Sequence, residues 1–161
     1  MAFPISVNFT GTDNTIITDH DANWVRSGVG AGGGGTPRIY LNDLITGFDS
    51  FGSWDVYRYN DAPPSADYSA SIIIKPQAAS YRDGVGVRVS SATANDSTAY
   101  GYFLGFKIIG GSNLGIRKWN GDNSVIVDID DFGSSPLSAG TEYKMILEVS
   151  GSATTTLTGK V

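Results

Sequence analysis

The sequence predicts an all-β fold, a two-sheet antiparallel sandwich or barrel of short strands. Three observations predict it. Five segments from residue 67 onward alternate apolar and polar residues with period two. The stretches between them are dense in Gly, Pro, Asn, Asp and Ser, the residues of tight turns. No window sustains helical periodicity behind a capping residue.

The first third of the chain carries weaker strand patterns at residues 5–9, 15–18, 23–26, 38–41 and 54–59. Between the third and fourth of these runs Ser27–Pro37, a glycine-rich stretch in which Gly28, Gly30 and Gly33 meet the spacing G-x-G-x-x-G. A dinucleotide-binding turn needs a helix opening directly after its glycines, so that backbone N–H groups hold the pyrophosphate. Here Pro37 and the alternating "RIYL" come next, and no Gly-Lys-Ser/Thr supplies a P-loop. The stretch reads as a flexible connector between two strands. "APPSAD" (62–67) reads as a long loop, because strands of the same pattern flank it. One domain over residues 1–161 is expected.

The stronger strands come next. "DYSASIIIK" puts Tyr68, Ala70, Ile72 and Ile74 on one face and Ser69, Ser71, Ile73 and Lys75 on the other. "GVGVRV" alternates Val85, Val87 and Val89 with Gly86 and Arg88. "YGYFLGFKI" groups Tyr100, Tyr102, Leu104, Phe106 and Ile108 opposite Gly101, Phe103, Gly105 and Lys107. A further strand is expected at 114–119, and Asn120-Gly121 after it is a strong hairpin signal. "SVIVDI" sets Val125, Val127 and Ile129 against Ile126 and Asp128. "YKMILEV" sets Tyr143, Met145, Leu147 and Val149 against Lys144, Ile146 and Glu148, and a last strand falls at 154–159.

Composition narrows the function. The net charge is −5, and the cations are scattered singly, so no basic face offers itself to nucleic acid. The same sign disfavours an acidic membrane surface, and no apolar run reaches transmembrane length. There is no Cys, which removes disulfides, thiolate nucleophiles and Cys-based zinc sites. "MAFPISVNFTG" lacks the basic and apolar regions of a secretory signal, so synthesis in a cytoplasm is expected. On that expectation the glycosylation sequons at Asn8 and Asn95 are without consequence.

Two acidic stretches are candidates for a hard cation: Asp19 and Asp21 around His20, and Asp128, Asp130 and Asp131. A structural Ca²⁺ would take several such oxygens from a loop, although neither stretch completes an EF-hand loop. The alternative is solvated turn residues. No other cofactor is expected. His20 is the single histidine, so no catalytic triad is specified. The two glutamates, Glu142 and Glu148, lie close together near the C-terminus and would not straddle a scissile sugar bond. Sugars stack their C–H faces on aromatic rings and offer hydroxyls to planar polar groups. Tyr57, Tyr59, Arg88, Phe103, Arg117 and Trp119 are therefore the candidate glycan platform, the alternative being a face covered by loops or a neighbouring subunit.

The order of segments resembles the concanavalin A-like lectin/glucanase jelly roll, in its laminin-G-like form found in phage and bacterial surface proteins. The resemblance is carried by "NFTGTDNTIITDHDANWVR", "DYSASIIIKPQ", "DGVGVRVSS", "YGYFLGFKIIGGSNLGIRKWNGDNSVIVDI" and "GTEYKMILEVSG". It implies a two-sheet antiparallel jelly roll with one concave face. It also implies a further strand after "TLTGKV", so that the chain reads as short of its final strand. The acidic cluster E-x-D-x-x-E of the glucanase members is absent. Resemblance without that cluster leads to the expectation of a non-catalytic structural protein of a bacteriophage virion, an exposed capsid, tail or fibre component. Its partners would be other virion proteins, surface glycans and further copies of itself. The alternative is a carbohydrate-binding module of a bacterial protein, and the third reading a glycoside hydrolase.

Overall fold

Alternation becomes pairing in a computed structural model of the chain, which describes residues 6–13, 15–29, 38–40, 43–45, 55–63, 65–75, 84–90, 100–106, 113–120, 126–134, 137–138 and 140–161. Among these the fold is all-β, every strand pair antiparallel, with one short helical turn. None of the described helical structure is long and apolar enough to cross a membrane. Contacts group the chain into two compact units. The first comprises Met1–Pro64, Ser91–Ala99 and Gly121–Ser124; the second comprises Ser65–Ser90, Tyr100–Asn120 and Val125–Val161.

In the first unit, helical turn α1 (Ile17–His20) leads into strand β1 (Trp24–Val29). A strand was expected at 15–18. Instead the amides of Asp19, His20 and Asp21 bond back to the carbonyls of Ile16 and Ile17, which satisfies them locally and carries Ile17 into the interior. The short strands β2 (Arg38–Tyr40) and β3 (Asp43–Ile45) pair with each other, and β4 (Asp55–Tyr59) pairs with β1. The register of β1 on β4 slips between Arg26 and Gly28, a bulge at the start of the glycine-rich stretch. The rest of that stretch, residues 30–37, lies outside the described residues, as does the turn at 121–125. Residues 6–9, expected in a strand, carry none.

The second unit holds strands β5 (Tyr68–Ile74), β6 (Gly84–Val87), β7 (Tyr100–Phe106), β8 (Asn113–Asn120), β9 (Ile126–Ser134), β10 (Tyr143–Ser150) and β11 (Thr156–Lys160). One sheet runs β11-β10-β5 and the other β6-β7-β8-β9. The two pack face to face, chiefly β5 and β10 on β6 and β7, and β11 on β8. Ile74, Val85, Val87, Leu104, Met145, Leu147 and Val149, each on the face the alternation grouped, form the buried core together with Leu114 and Ile116; Tyr100, grouped with Leu104, stands 51% exposed at the start of β7. Full burial of each such aliphatic side chain contributes about 1.5–3 kcal/mol, which is what holds the sheets together. Ser69, Ser71, Ile73 and Lys144 fall on the exposed face.

Two departures matter for function. Val89 and Arg88 were expected to extend β6, but the strand ends at Val87 and Arg88 takes a left-handed φ of 52°. On β9, Ile129 was expected inward beside Val125 and Val127. It stands 48% exposed, because the register on β8 passes from Asp130 directly to Asp128 and leaves Ile129 as the extra residue of a bulge.

Candidate functional site

The first unit gathers an aromatic–carboxylate cluster where α1 meets β1. Asp21 ends the helical turn, and its Oδ1 accepts from the Asn23 amide N–H and from Asn23 Nδ2, both at 2.9 Å. This is the Asx-turn chemistry written in "DAN". Antiparallel pairing sets Trp24 opposite Tyr59, and the Tyr59 hydroxyl donates to Asp21 Oδ2 at 3.1 Å. Asn23 Nδ2 also donates to that hydroxyl at 3.2 Å. The Trp24 and Tyr59 rings meet edge to face, 5.4 Å apart at 86°. Phe9 lies 6.2 Å from both Trp24 and His20. His20 Nε2 is 3.0 Å from the Asn8 carbonyl oxygen; a carbonyl can only accept, so Nε2 carries the hydrogen.

Charge follows from these bonds. The amide of Asn23 is the chief group holding the Asp21 carboxyl below its ordinary 3.8, with the Tyr59 hydroxyl adding to it against partial burial. Burial first, then the Asp21 carboxylate, push the Tyr59 phenol above 10.0. A general acid for glycoside hydrolysis needs a carboxyl raised toward neutrality, and Asp21 is shifted the other way. The lowered carboxyl stabilises the fold above pH 3.8 and ceases to do so as pH falls through its lowered value. The raised phenol stabilises below pH 10.0 and ceases to do so as pH rises through its raised value. In Tyr59→Phe the Asp21 carboxyl is expected to titrate closer to 3.8, read by carboxyl NMR across the acid range. An unchanged titration would show that the phenol does not act on it.

The six residues expected to form a glycan platform are divided between the units. Tyr57 and Tyr59 lie on β4 of the first; Arg88, Phe103, Arg117 and Trp119 belong to the second. Within the second unit Phe103 and Arg117 are cross-strand partners on β7 and β8. Neither arginine stands on a bare outer face. Arg117 is 3% exposed and donates from Nη1 to the Gly105 carbonyl at 2.6 Å. Arg88 donates to Thr155 Oγ1 at 2.8 Å, to the Ala66 carbonyl at 3.0 Å and to the Gly151 carbonyl, while its amide donates to the Tyr68 hydroxyl. It thereby clasps the entry to β5, the end of β6 and the β10–β11 turn. Phe103 lies over Gly86, its partner on β6: a Cβ there would sit 2.5 Å from the ring. Glycine is needed at that position to admit the ring. The Trp119 side chain lies outside the described residues.

Asp130 and Asp131 of β9 do not converge. Asp130 and Asp131 are consecutive and exposed, so they leave the strand on opposite sides, and Asp131 Oδ1 accepts from the Gly133 amide at 2.9 Å. The Asp128 side chain lies outside the described residues. Among the described residues no three His, Cys, Asp or Glu side chains come together as a metal site.

The sequence pointed to Tyr59, His20 and Asp21 separately and missed their meeting with Trp24, Asn23 and Phe9. The Asx turn is a local signal, but 36 residues separate Asn23 from Tyr59. In comparisons with known proteins the chain matches no family model, no curated protein and no solved structure.

Proposed function

We propose that this chain is a non-catalytic structural component of a bacteriophage virion, an exposed capsid, tail or fibre protein built on a concanavalin A-like jelly roll. It would contact surface glycans and further copies of itself, without a cofactor, and away from nucleic acid and membrane. One observation carries the reading: Asp21, His20, Arg88 and Arg117 are engaged with the framework. Asp21 is held by Asn23 and Tyr59, His20 by a backbone carbonyl, Arg117 by Gly105, and Arg88 by three partners across one end of the sandwich. A sandwich whose charges brace its own strands suits a load in an assembly. Antiparallel sheets over an aliphatic core supply the scaffold. The expected result is that the protein copurifies with assembled particles at a fixed ratio through a density gradient. Recovery only as free protein from the lysate would overturn the reading.

A free-standing carbohydrate-binding module is the second reading, favoured by the juxtaposition of Phe9, Trp24 and Tyr59 with the Asn23 amide and Asp21 carboxylate. On a glycan array, binding that is lost in Trp24→Ala or Tyr59→Ala with folding intact supports this module. A silent array rejects it.

A further inference from the structure

We infer that the aromatic cluster of the first unit, Trp24, Tyr59 and Phe9 beside the Asp21 carboxylate, is a site for a quaternary ammonium cation such as choline.

A quaternary ammonium is attracted to the negative face of an aromatic ring within about 6 Å of its centroid, and Trp gives the strongest face. Trp24 has both other rings beside it. Tyr59 is 5.4 Å away and nearly perpendicular to it, and Phe9 is 6.2 Å away and tilted by 39°. Perpendicular planes form a corner, in which one cation can lie within that range of Trp24 and Tyr59 together. All three side chains are half-buried, so each keeps part of its surface in water. The register of β1 on β4 sets Trp24 opposite Tyr59, so these two rings stand assembled before any ligand arrives.

Charge favours the same class of ligand. Asp21 Oδ2 accepts from the Tyr59 hydroxyl at 3.1 Å, which sets a full negative charge at the rim of that ring. The bonds that lower the Asp21 pKa keep the group ionised at neutral pH. Asp61, two residues beyond Tyr59, adds a second carboxylate whose charge reaches the same phenol. The segments of the first unit hold nine aspartates against three arginines, with no lysine and no glutamate. Those of the second are nearly balanced, with eight lysines and arginines against seven carboxylates. The net negative charge of the chain therefore belongs to the unit that carries the rings.

Hydrogen bonding selects a cation over a sugar. A sugar needs donors and acceptors that can turn to its hydroxyls. Here Asn23 Nδ2 donates to Asp21 Oδ1 and to the Tyr59 hydroxyl, and that hydroxyl donates to Asp21 Oδ2. Trp24 Nε1 is buried away from solvent. A quaternary ammonium has no N–H and asks only for ring faces and negative charge, which these bonds leave available. A phosphate attached to the amine would meet the acidic unit, so the ligand is the amine without one. The inference takes the same rings as the sugar-binding reading and competes with it; it is independent of a place in a virion.

Titration of the full chain with choline at low salt tests it, read by saturation transfer to the trimethylammonium protons. Saturable binding with a Kd on the order of millimolar is expected. The uncharged carbon analogue of choline, with a tert-butyl head, is expected to bind about fivefold more weakly or worse. Phosphocholine is expected to bind more weakly than choline. Trp24→Phe keeps a ring with a weaker face and is expected to weaken choline about threefold. Asp21→Asn keeps the shape without the charge and is expected to weaken it about fivefold, folding being checked by circular dichroism. No saturable binding of choline up to about 100 mM would overturn the inference. So would equal binding of the uncharged analogue, tighter binding of phosphocholine, or folded variants that bind like the wild type. A glycan that occupies these rings when choline does not would give them to the sugar-binding reading and overturn it equally.

Discussion

Leu104→Ala is expected to cost about 2–5 kcal/mol of folding stability, enough to unfold a marginal domain near body temperature. Leu104 is 0% exposed in the middle of β7, in the core shared by both sheets. Across the interface lies Gly159 of β11: a Cβ built there would stand 3.1 Å from Leu104 Cδ1 and 3.3 Å from Ile116 Cδ1. The absent side chain of Gly159 is therefore the space that the tips of Leu104 and Ile116 fill. Truncation leaves a void that neither sheet can close, since each is held by its own ladder of hydrogen bonds. The pair also predicts a coupling. Gly159→Ala alone requires Leu104 to yield by a few tenths of an ångström, but in the Leu104→Ala background that space is open. A urea-denaturation cycle is expected to show the double variant more stable than the sum of the two single changes. Simple additivity would mean that the two positions do not share the space.

Arg117→Ala is expected to cost about 2–4 kcal/mol, because the Gly105 carbonyl loses a buried charge-assisted donor and the long side chain leaves a gap. The guanidinium lies along β8 and reaches back to β7, so it ties the two central strands of its sheet at a point where glycines line the path: Gly105 and Gly115 are cross-strand partners. Lysine has one compact head and not a planar fork, so Arg117→Lys is expected to recover only part of the loss. This separates the two roles that sequence alone left open. Were Arg117 a sugar-contacting residue, its removal would abolish glycan binding at unchanged stability. Thermal unfolding of Arg117→Ala at the wild-type temperature would refute the structural role.

Much of the second unit was legible in the sequence. In "YSASIII" and "YKMILEV" the period is unbroken, and Tyr68, Ala70, Ile72, Ile74, Tyr143, Met145, Leu147 and Val149 are found in the core or packed against it. Period-two patterning works there because successive Cβ atoms leave a strand on opposite sides, so burial of one face is encoded locally. The pattern failed where the backbone departs from that rule. At Ile129 a bulge inserts a residue and turns the expected core position to solvent. At Arg88 a left-handed backbone ends the strand and swings the guanidinium onto the β10–β11 turn. Strand propensity in "TIIT" yielded to three local hydrogen bonds and the burial of Ile17. The short strand β3, with three residues, was too brief to show a period.

The sequence by itself determined the class of this protein: antiparallel strands with defined inner faces, no thiol chemistry, an acidic balance, and a glycine-rich stretch that opens no helix. Those properties are local, set by the alternation of side chains along a strand and by what Gly and Pro permit. Only the tertiary structure decided which polar residues meet. Pairing of β1 with β4 brings Tyr59 to Asp21, and the ladder of β7 on β8 brings Arg117 to Gly105, across 38 and 12 residues of chain. Register between strands is fixed by burial summed over whole faces, and a single slipped residue exchanges the two sides. The same physics buried Arg117 against the Gly105 carbonyl and left Ile73 and Phe132 in solvent.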